Sequence, residues 1–279
     1  MRTFRVNSLI SVAAGLAIAC ALVTPLAAQD ALAPVTSAPA ETALDAALGM
    51  ANMLDGAGGG ISGSDLISVL EEAAAEGQPA ALWQLGLMYE NGEGVQQDKV
   101  RAFGYFNKIA VEHADAAPKG VDSEIVAQSF VKVGEYYRDG LPEAGLKPDR
   151  TEYERRVQHA ATYFGNADAQ YMLGEMYTDD QLLGDIPKLS YRWLTLAARK
   201  GQAQAQARLG TMVFNGDGVQ PNPEEGLMWL TVASRRVAGT SDEGWVNELL
   251  QNAMSVATPE QRKKGAELAD SLGPRFGGL

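Results

Sequence analysis

Gly165-Asn166-Ala167-Asp168-Ala169-Gln170-Tyr171-Met172-Leu173-Gly174 returns thirty-six residues later as Gly201-Gln202-Ala203-Gln204-Ala205-Gln206-Ala207-Arg208-Leu209-Gly210. The echo continues downstream. Tyr191-Arg192-Trp193-Leu194 with Ala197-Ala198 returns as Leu227-Met228-Trp229-Leu230 with Val232-Ala233. A period of this length fits a two-helix unit that cannot bury its apolar face alone and must stack on its neighbours. The expectation is an all-α, right-handed helical solenoid, an architecture generally used to hold another macromolecule.

Upstream of the echo, the first unit shows the design most clearly. Pro79 stands where a helix tolerates proline, because the missing N–H would be unsatisfied there anyway. Ala81, Leu82, Leu85, Met88 and Tyr89 recur at three- and four-residue spacing and form one apolar stripe. Asn91-Gly92-Glu93-Gly94-Val95 then breaks the helix, and a second helix is expected from Lys99 through Ala102, Tyr105, Phe106 and Ile109. The fourth unit repeats this plan, with Asn215-Gly216-Asp217-Gly218-Val219 as its loop and Trp229 in its second helix. The third unit replaces the loop by Thr178-Asp179-Asp180-Gln181-Leu182-Leu183-Gly184-Asp185. The second unit is stretched, and its extra length is assigned to an insertion at 141–150 carrying Pro142, Gly145 and Pro148.

Gly86, Gly134, Gly174 and Gly210 each fall inside an expected helix, where glycine costs about 1 kcal/mol relative to alanine. That cost at the same place in every unit predicts close helix approach, with Trp193 and Trp229 filling the wider side of their hairpins. After the repeats, 242–256 reads as a helix with Trp245, Leu249 and Leu250 on its inner side. Thr258-Pro259-Glu260-Gln261 then starts a last helix that covers the end of the stack.

The N-terminus reads as an address. Arg2 and Arg5 precede an apolar run from Leu9 to Val23, then small residues up to Ala28, the order of a secretory signal peptide. The run is short for a bilayer span of roughly 20 residues. A retained anchor and a degenerate lipid-attachment signal at Cys20 are the alternatives. Cleavage after Ala28 would remove the only cysteine, so stability must come from packing alone. The division expected is a signal peptide at 1–28, an Ala/Pro/Gly-rich leader at 29–61, a solenoid of about four units at 62–240 and capping helices at 241–279. A short helix near 41–54 is expected within the leader.

The precursor has 23 basic and 35 acidic residues, and loss of Arg2 and Arg5 makes the balance more negative still. Such a field opposes nucleic acid and anionic lipid and attracts a basic surface. Paired carboxylates in such a chain would hold loops at neutral pH and release them in acid.

No catalytic constellation is evident, and the chain is expected not to be an enzyme. The Gly92-Glu93-Gly94 and Gly216-Asp217-Gly218 loops follow helices rather than strands and lack the lysine and hydroxyl of a phosphate loop. His113 and His159 lie on different units without zinc-ligand spacing. Asp179, Asp180 and Asp185 do not have the spacing of a twelve-residue calcium loop. Neither cofactor nor metal is expected. A hydrolase would require two carboxylates converging in a deep cleft.

The units resemble Sel1-like repeats, tetratricopeptide relatives with an Ala-rich first helix, a Leu-Gly near its middle and a Gly-x-Gly-Val loop. The match is carried by Ala80-Ala81, Leu85-Gly86, Tyr89 and Gly92-Glu93-Gly94-Val95, and again by Ala205, Leu209-Gly210 and Gly216-Asp217-Gly218-Val219. Val133-Gly134 and Leu173-Gly174 are weaker echoes. As a whole the chain resembles the ExoR regulators of alphaproteobacteria in its signal peptide, Ala/Gly-rich leader, repeat body and extra C-terminal helices. That resemblance implies a periplasmic protein that represses a two-component system by binding its sensor histidine kinase, in a pathway controlling exopolysaccharide synthesis and motility. Release or proteolysis of the repressor, in acid for example, would relieve the inhibition. A secreted adaptor for envelope or polysaccharide-export components is the alternative. Two contact surfaces compete: the face of the first helices, and the insertion with Leu141, Pro142, Glu143, Leu146, Lys147 and Arg150.

Overall fold

A computed structural model describes residues 63–179 and 181–277, so the expectations on the signal peptide, the leader, its short helix and Asp180 lie outside the described residues. Among the described residues eleven α-helices follow one another. They are α1 (Gly63–Ala75), α2 (Pro79–Asn91), α3 (Lys99–Glu112), α4 (Ser123–Asp139), α5 (Arg150–His159), α6 (Ala167–Met176), α7 (Pro187–Arg199), α8 (Ala203–Asn215), α9 (Pro223–Arg236), α10 (Glu243–Val256) and α11 (Pro259–Leu272). Among the described residues there is no strand, only an isolated bridge between Leu141 and Leu146. The described residues form an all-α solenoid.

Four hairpins, α2–α3, α4–α5, α6–α7 and α8–α9, are closed by the same backbone bond. The N–H at the start of the second helix donates to a carbonyl near the end of the first. The pairs are Asp98 to Tyr89 (2.8 Å), Asp149 to Tyr137 (2.7 Å), Ile186 to Tyr177 (2.8 Å) and Asn222 to Val213 (2.8 Å). Each acceptor stands three residues after the unit's glycine. The third loop, unlike the others in sequence, therefore keeps their length and closure. Gly216 ends α8 in the left-handed region (φ 87°), and Gly218 (φ 74°) lies so close to Pro187 that a Cβ would stand 2.8 Å from its carbonyl carbon. These two positions need glycine for backbone geometry and for inter-unit contact. Gly92 and Gly94 share the positive φ, with more space around Gly94.

The closures correct the assignment of the extra length. The second loop is only three residues longer than the others, and one further residue is taken up by a π turn at Ala160–Phe164, after α5. Most of the stretch between the first two units lies upstream, in a ten-residue link at 113–122 and an additional turn at the start of α4. Pro118 and Gly120 oppose helix there.

Within each hairpin the repeated glycine faces one side chain of the second helix. A Cβ on Gly86 would lie 2.5 Å from Phe106, on Gly174 2.8 Å from Leu194, and on Gly210 2.8 Å from Leu230. Gly134 differs: its nearest neighbour, Val157, would be 3.4 Å away, an ordinary contact. The cause is one turn earlier in the second helix, where Ala102, Ser190 and Gly226 are small but the second unit has Tyr153. A tyrosine at the crossing point holds α4 and α5 apart.

The core forms one large apolar cluster from Leu70 to Met176, followed by smaller ones built on α7 to α11. The two echoed tryptophans part company. Trp229 is 3% exposed and its ring centroid lies 4.4 Å from that of Phe276, whereas Trp193 is only partly buried. Helix α10 lies beside α8, with Val246 and Ala253 as its buried residues, while Trp245, Leu249 and Leu250 are partly buried. Helix α11 starts with a capping box between Thr258 and Gln261 and packs on α9, with Gly265 against Leu227. Its Arg262, Lys263 and Lys264 are exposed. No helix among the described residues is long and apolar enough to cross a membrane.

Candidate functional site

The first helices stand side by side, tied by a row of polar bridges. Lys132 of α4 pairs with Glu90 of α2 (2.8 Å), and Gln128 of α4 donates to Asp168 of α6 (2.8 Å). Arg208 of α8 pairs with Glu175 of α6 (3.1 Å), and Gln204 of α8 donates to Asp242 at the start of α10 (2.7 Å). Arg208 also lies over Trp245 (5.3 Å), so α10 occupies the place of a further first helix. Gln170 and Gln206, equivalent by the repeat, are buried and donate to the carbonyls of Ala161 and Ala198, securing the turns between units. The echo contained these glutamines, but periodicity alone gave no reason to bury them.

Among the described residues, clefts open on several sides of the second unit. One, of about 680 Å³, has Tyr153, Tyr171, Met172, Met176 and Leu182 as its apolar lining, with Arg138, Glu175 and Asp179 beside them. A second, of about 500 Å³, is walled by Glu90, Glu135 and Tyr136 from first helices and by Leu141, Pro142 and Glu143 from the insertion. The two share Arg138. Residues of both surfaces that the sequence offered as rivals thus line the second cleft. A third cleft, also about 500 Å³, opens on the other side between α3 and α5, lined by Val111, Phe130, Arg155, Arg156 and His159.

The insertion is partly inward. Leu141 is 3% exposed and packs into the core while its edge lines the second cleft, and Leu146 is partly buried. Reciprocal backbone bonds between them (2.8 and 3.0 Å) fold the segment over a short 3-10 turn at Pro142–Ala144. Pro142, Glu143, Lys147 and Arg150 are exposed. Arg150 is engaged by Glu154 (2.6 Å) and by the carbonyl of Leu182 in the next unit's loop.

Burial raises the carboxyl pKa of Glu124, Glu135 and Glu175 above the ordinary range. For Glu124, bonds from Gln128 and Asn166 work against this, and for Glu175 the nearby Arg208 does. Bonds from arginines hold Asp139 and Glu152 below it, through Arg138 and Arg155 respectively, but Asp139 is exposed and Glu152 only lightly buried, so solvent screening keeps that effect small. An acid whose folded pKa stands above its unfolded value binds its proton more tightly when folded. Stability then rises as pH falls through the folded value toward the unfolded one. These buried carboxylates act opposite to the acid release anticipated for paired ones. We expect a urea midpoint at about pH 5.5 no lower than at pH 7, with a decline only near the ordinary carboxylate range of roughly 4. A clearly lower midpoint at pH 5.5 would show that other groups dominate.

His113 and His159 sit between units, with their Nε2 atoms 3.0 Å from the carbonyl of Gly77 and 3.2 Å from that of Ala114. Among the described residues no three His, Cys, Asp or Glu side chains gather as a metal site. In the second cleft, Glu90 and Asp139 are engaged by Lys132 and Arg138.

The Sel1 repeat model matches residues 79–110, 167–202 and 203–236. Three of the four hairpins, α2–α3, α6–α7 and α8–α9, thus match the Sel1 repeat. The hairpin left outside the matched segments is α4–α5, where Tyr153, the insertion and the π turn depart from the Sel1 pattern. The chain is similar to an exopolysaccharide production negative regulator of Rhizobium leguminosarum bv. viciae, 24% identical over 208 residues and covering 75% of each chain. It is also similar to a protein of the same description from Rhizobium meliloti (strain 1021), 26% identical over 137 residues, which span 49% of this chain and 50% of that one. A crystal structure of a Sel1 repeat protein from Oxalobacter formigenes superposes with a TM-score of 0.56 at 24% identity, covering 81% of this chain and 86% of the other. That likeness supports the fold.

Proposed function

We propose that this chain is an exported, non-catalytic regulator that binds the periplasmic domain of a sensor histidine kinase and holds it inactive, thereby restraining exopolysaccharide synthesis and motility. The observation that carries the reading is the similarity over three quarters of the chain to a curated negative regulator of exopolysaccharide production. The structure adds a binding-protein architecture, with two clefts meeting where one hairpin departs from the repeat. Export to the periplasm, with removal of the leading 28 residues, belongs to the same proposal and rests on the order of charged, apolar and small residues at the start. The chain lacking residues 1–28, immobilised and exposed to envelope extract, is expected to retain a sensor kinase. Recovery of export or cell-wall components without a kinase would overturn the kinase reading and support the adaptor.

A further inference from the structure

Among the described residues, the groove beside α4 has two carboxylates without a hydrogen bond or ion pair, the half-buried Glu135 and the exposed Glu143. Burial opposes the charge of Glu135 more strongly than the neighbouring Lys132 and Arg138 support it. The other acids there differ: Glu90 is held by Lys132 and Asp139 by Arg138. Glu135 and Glu143 therefore face the cleft against Lys99, the lining cation outside those pairs. Next to it, across Arg138, the larger cleft presents tyrosine, methionine and leucine surface.

We propose that this double cleft takes an extended segment of a partner protein carrying a lysine or arginine that docks on Glu135 and a bulky apolar residue that enters the space between Tyr171, Met172 and Leu182. Three physical arguments converge on that occupant. An unengaged, half-desolvated carboxylate gains most from a cation, because the cost of removing it from water has already been met by folding. The aliphatic stem of a lysine or arginine can lie along Tyr136 and Pro142 while its head reaches the carboxylate. The larger cleft supplies tyrosine, methionine and leucine surface against which such an apolar residue is buried on docking, the kind of anchor on which binding energy concentrates. The chain's formal charge of −12 also draws a basic segment toward it. The proposal rests on the reading that the protein acts by holding a partner and gives that partner a chemical signature.

Random dodecapeptides displayed on phage and panned on the full chain test it without knowledge of the partner. Enriched peptides are expected to combine a basic residue with a large apolar one. A synthetic peptide of the enriched sequence should bind Glu135→Gln about tenfold or more weakly than wild type. Leu182→Ser should weaken it through the other cleft. Glu135→Lys should regain binding when the peptide's basic residue is exchanged for glutamate, a rescue that misfolding of the variant would not produce. No enrichment, enrichment of acidic peptides, or undiminished binding to Glu135→Gln would each overturn the proposal. The outcome is separable from the kinase reading. A kinase retained equally by wild type and Glu135→Gln would overturn the groove and leave the function standing. Absence of a kinase with clear basic-peptide binding would do the reverse.

Discussion

Gly210→Leu is expected to destabilise the protein by about 3 kcal/mol or more, at or beyond the upper end of the usual overpacking range of 1–3 kcal/mol. A Cβ at this position would lie 2.8 Å from Leu230 Cγ, 2.9 Å from the Leu230 nitrogen and 3.0 Å from the Gly226 carbonyl oxygen. Two of these are backbone atoms, so no rotamer change relieves the contact; α8 and α9 must separate. At Gly174 the closest atoms are those of the Leu194 side chain, which can turn aside, and Gly174→Leu should cost about 2 kcal/mol. Gly134→Ala should behave oppositely. Its Cβ would make ordinary contacts at 3.4–3.5 Å, and replacing a mid-helix glycine by alanine contributes up to about 1 kcal/mol. Urea midpoints of the three variants measure the series directly. Equal losses at Gly210 and Gly134 would show that the spacing set by Tyr153 does not exist in solution.

Trp229→Ala is expected to cost about 3–5 kcal/mol, the range for a fully buried large aromatic. The side chain is 3% exposed, packs at a tilt against Phe276, and holds its indole nitrogen 3.4 Å from Glu225. Its loss also removes the surface on which the C-terminal segment rests, leaving Arg236 to hold that segment through the carbonyl of Phe276 (2.6 Å). Trp193→Ala, the same substitution one repeat earlier, should cost about half as much, because part of that ring is already in water. Thermal or urea unfolding distinguishes the two. Equal losses would mean that Trp193 is covered in solution to the same depth as Trp229.

The repeated helices were legible because they depend on nearby residues. The three- and four-residue spacing in α2 and α8, Pro79 at a helix start, Gly216 at a helix end and the Thr258–Gln261 capping box all act within one or two turns. The site was less legible. Val133-Gly134 looks like Leu173-Gly174, yet the space at Gly134 is decided by Tyr153 on the opposing helix. The insertion attracted attention as the departure from the repeat, but its chain distance carried no sign that Leu141 turns into the core. The π turn left a one-residue discrepancy in the repeat spacing, a signal too small to separate from loop variation.

The sequence by itself determined a stack of helical hairpins, the anchoring role of its glycines and the excess of negative charge, because periodicity, caps and composition are local or additive properties. Tertiary structure alone decided which glycine has room to spare, which tryptophan is covered, and that the insertion and the first helices wall a common groove. It also decided that Glu135 has no partner within the described residues while Glu90 finds Lys132, forty-two positions away. Such pairings depend on where stacked helices place side chains distant in the chain, and no local pattern encodes them.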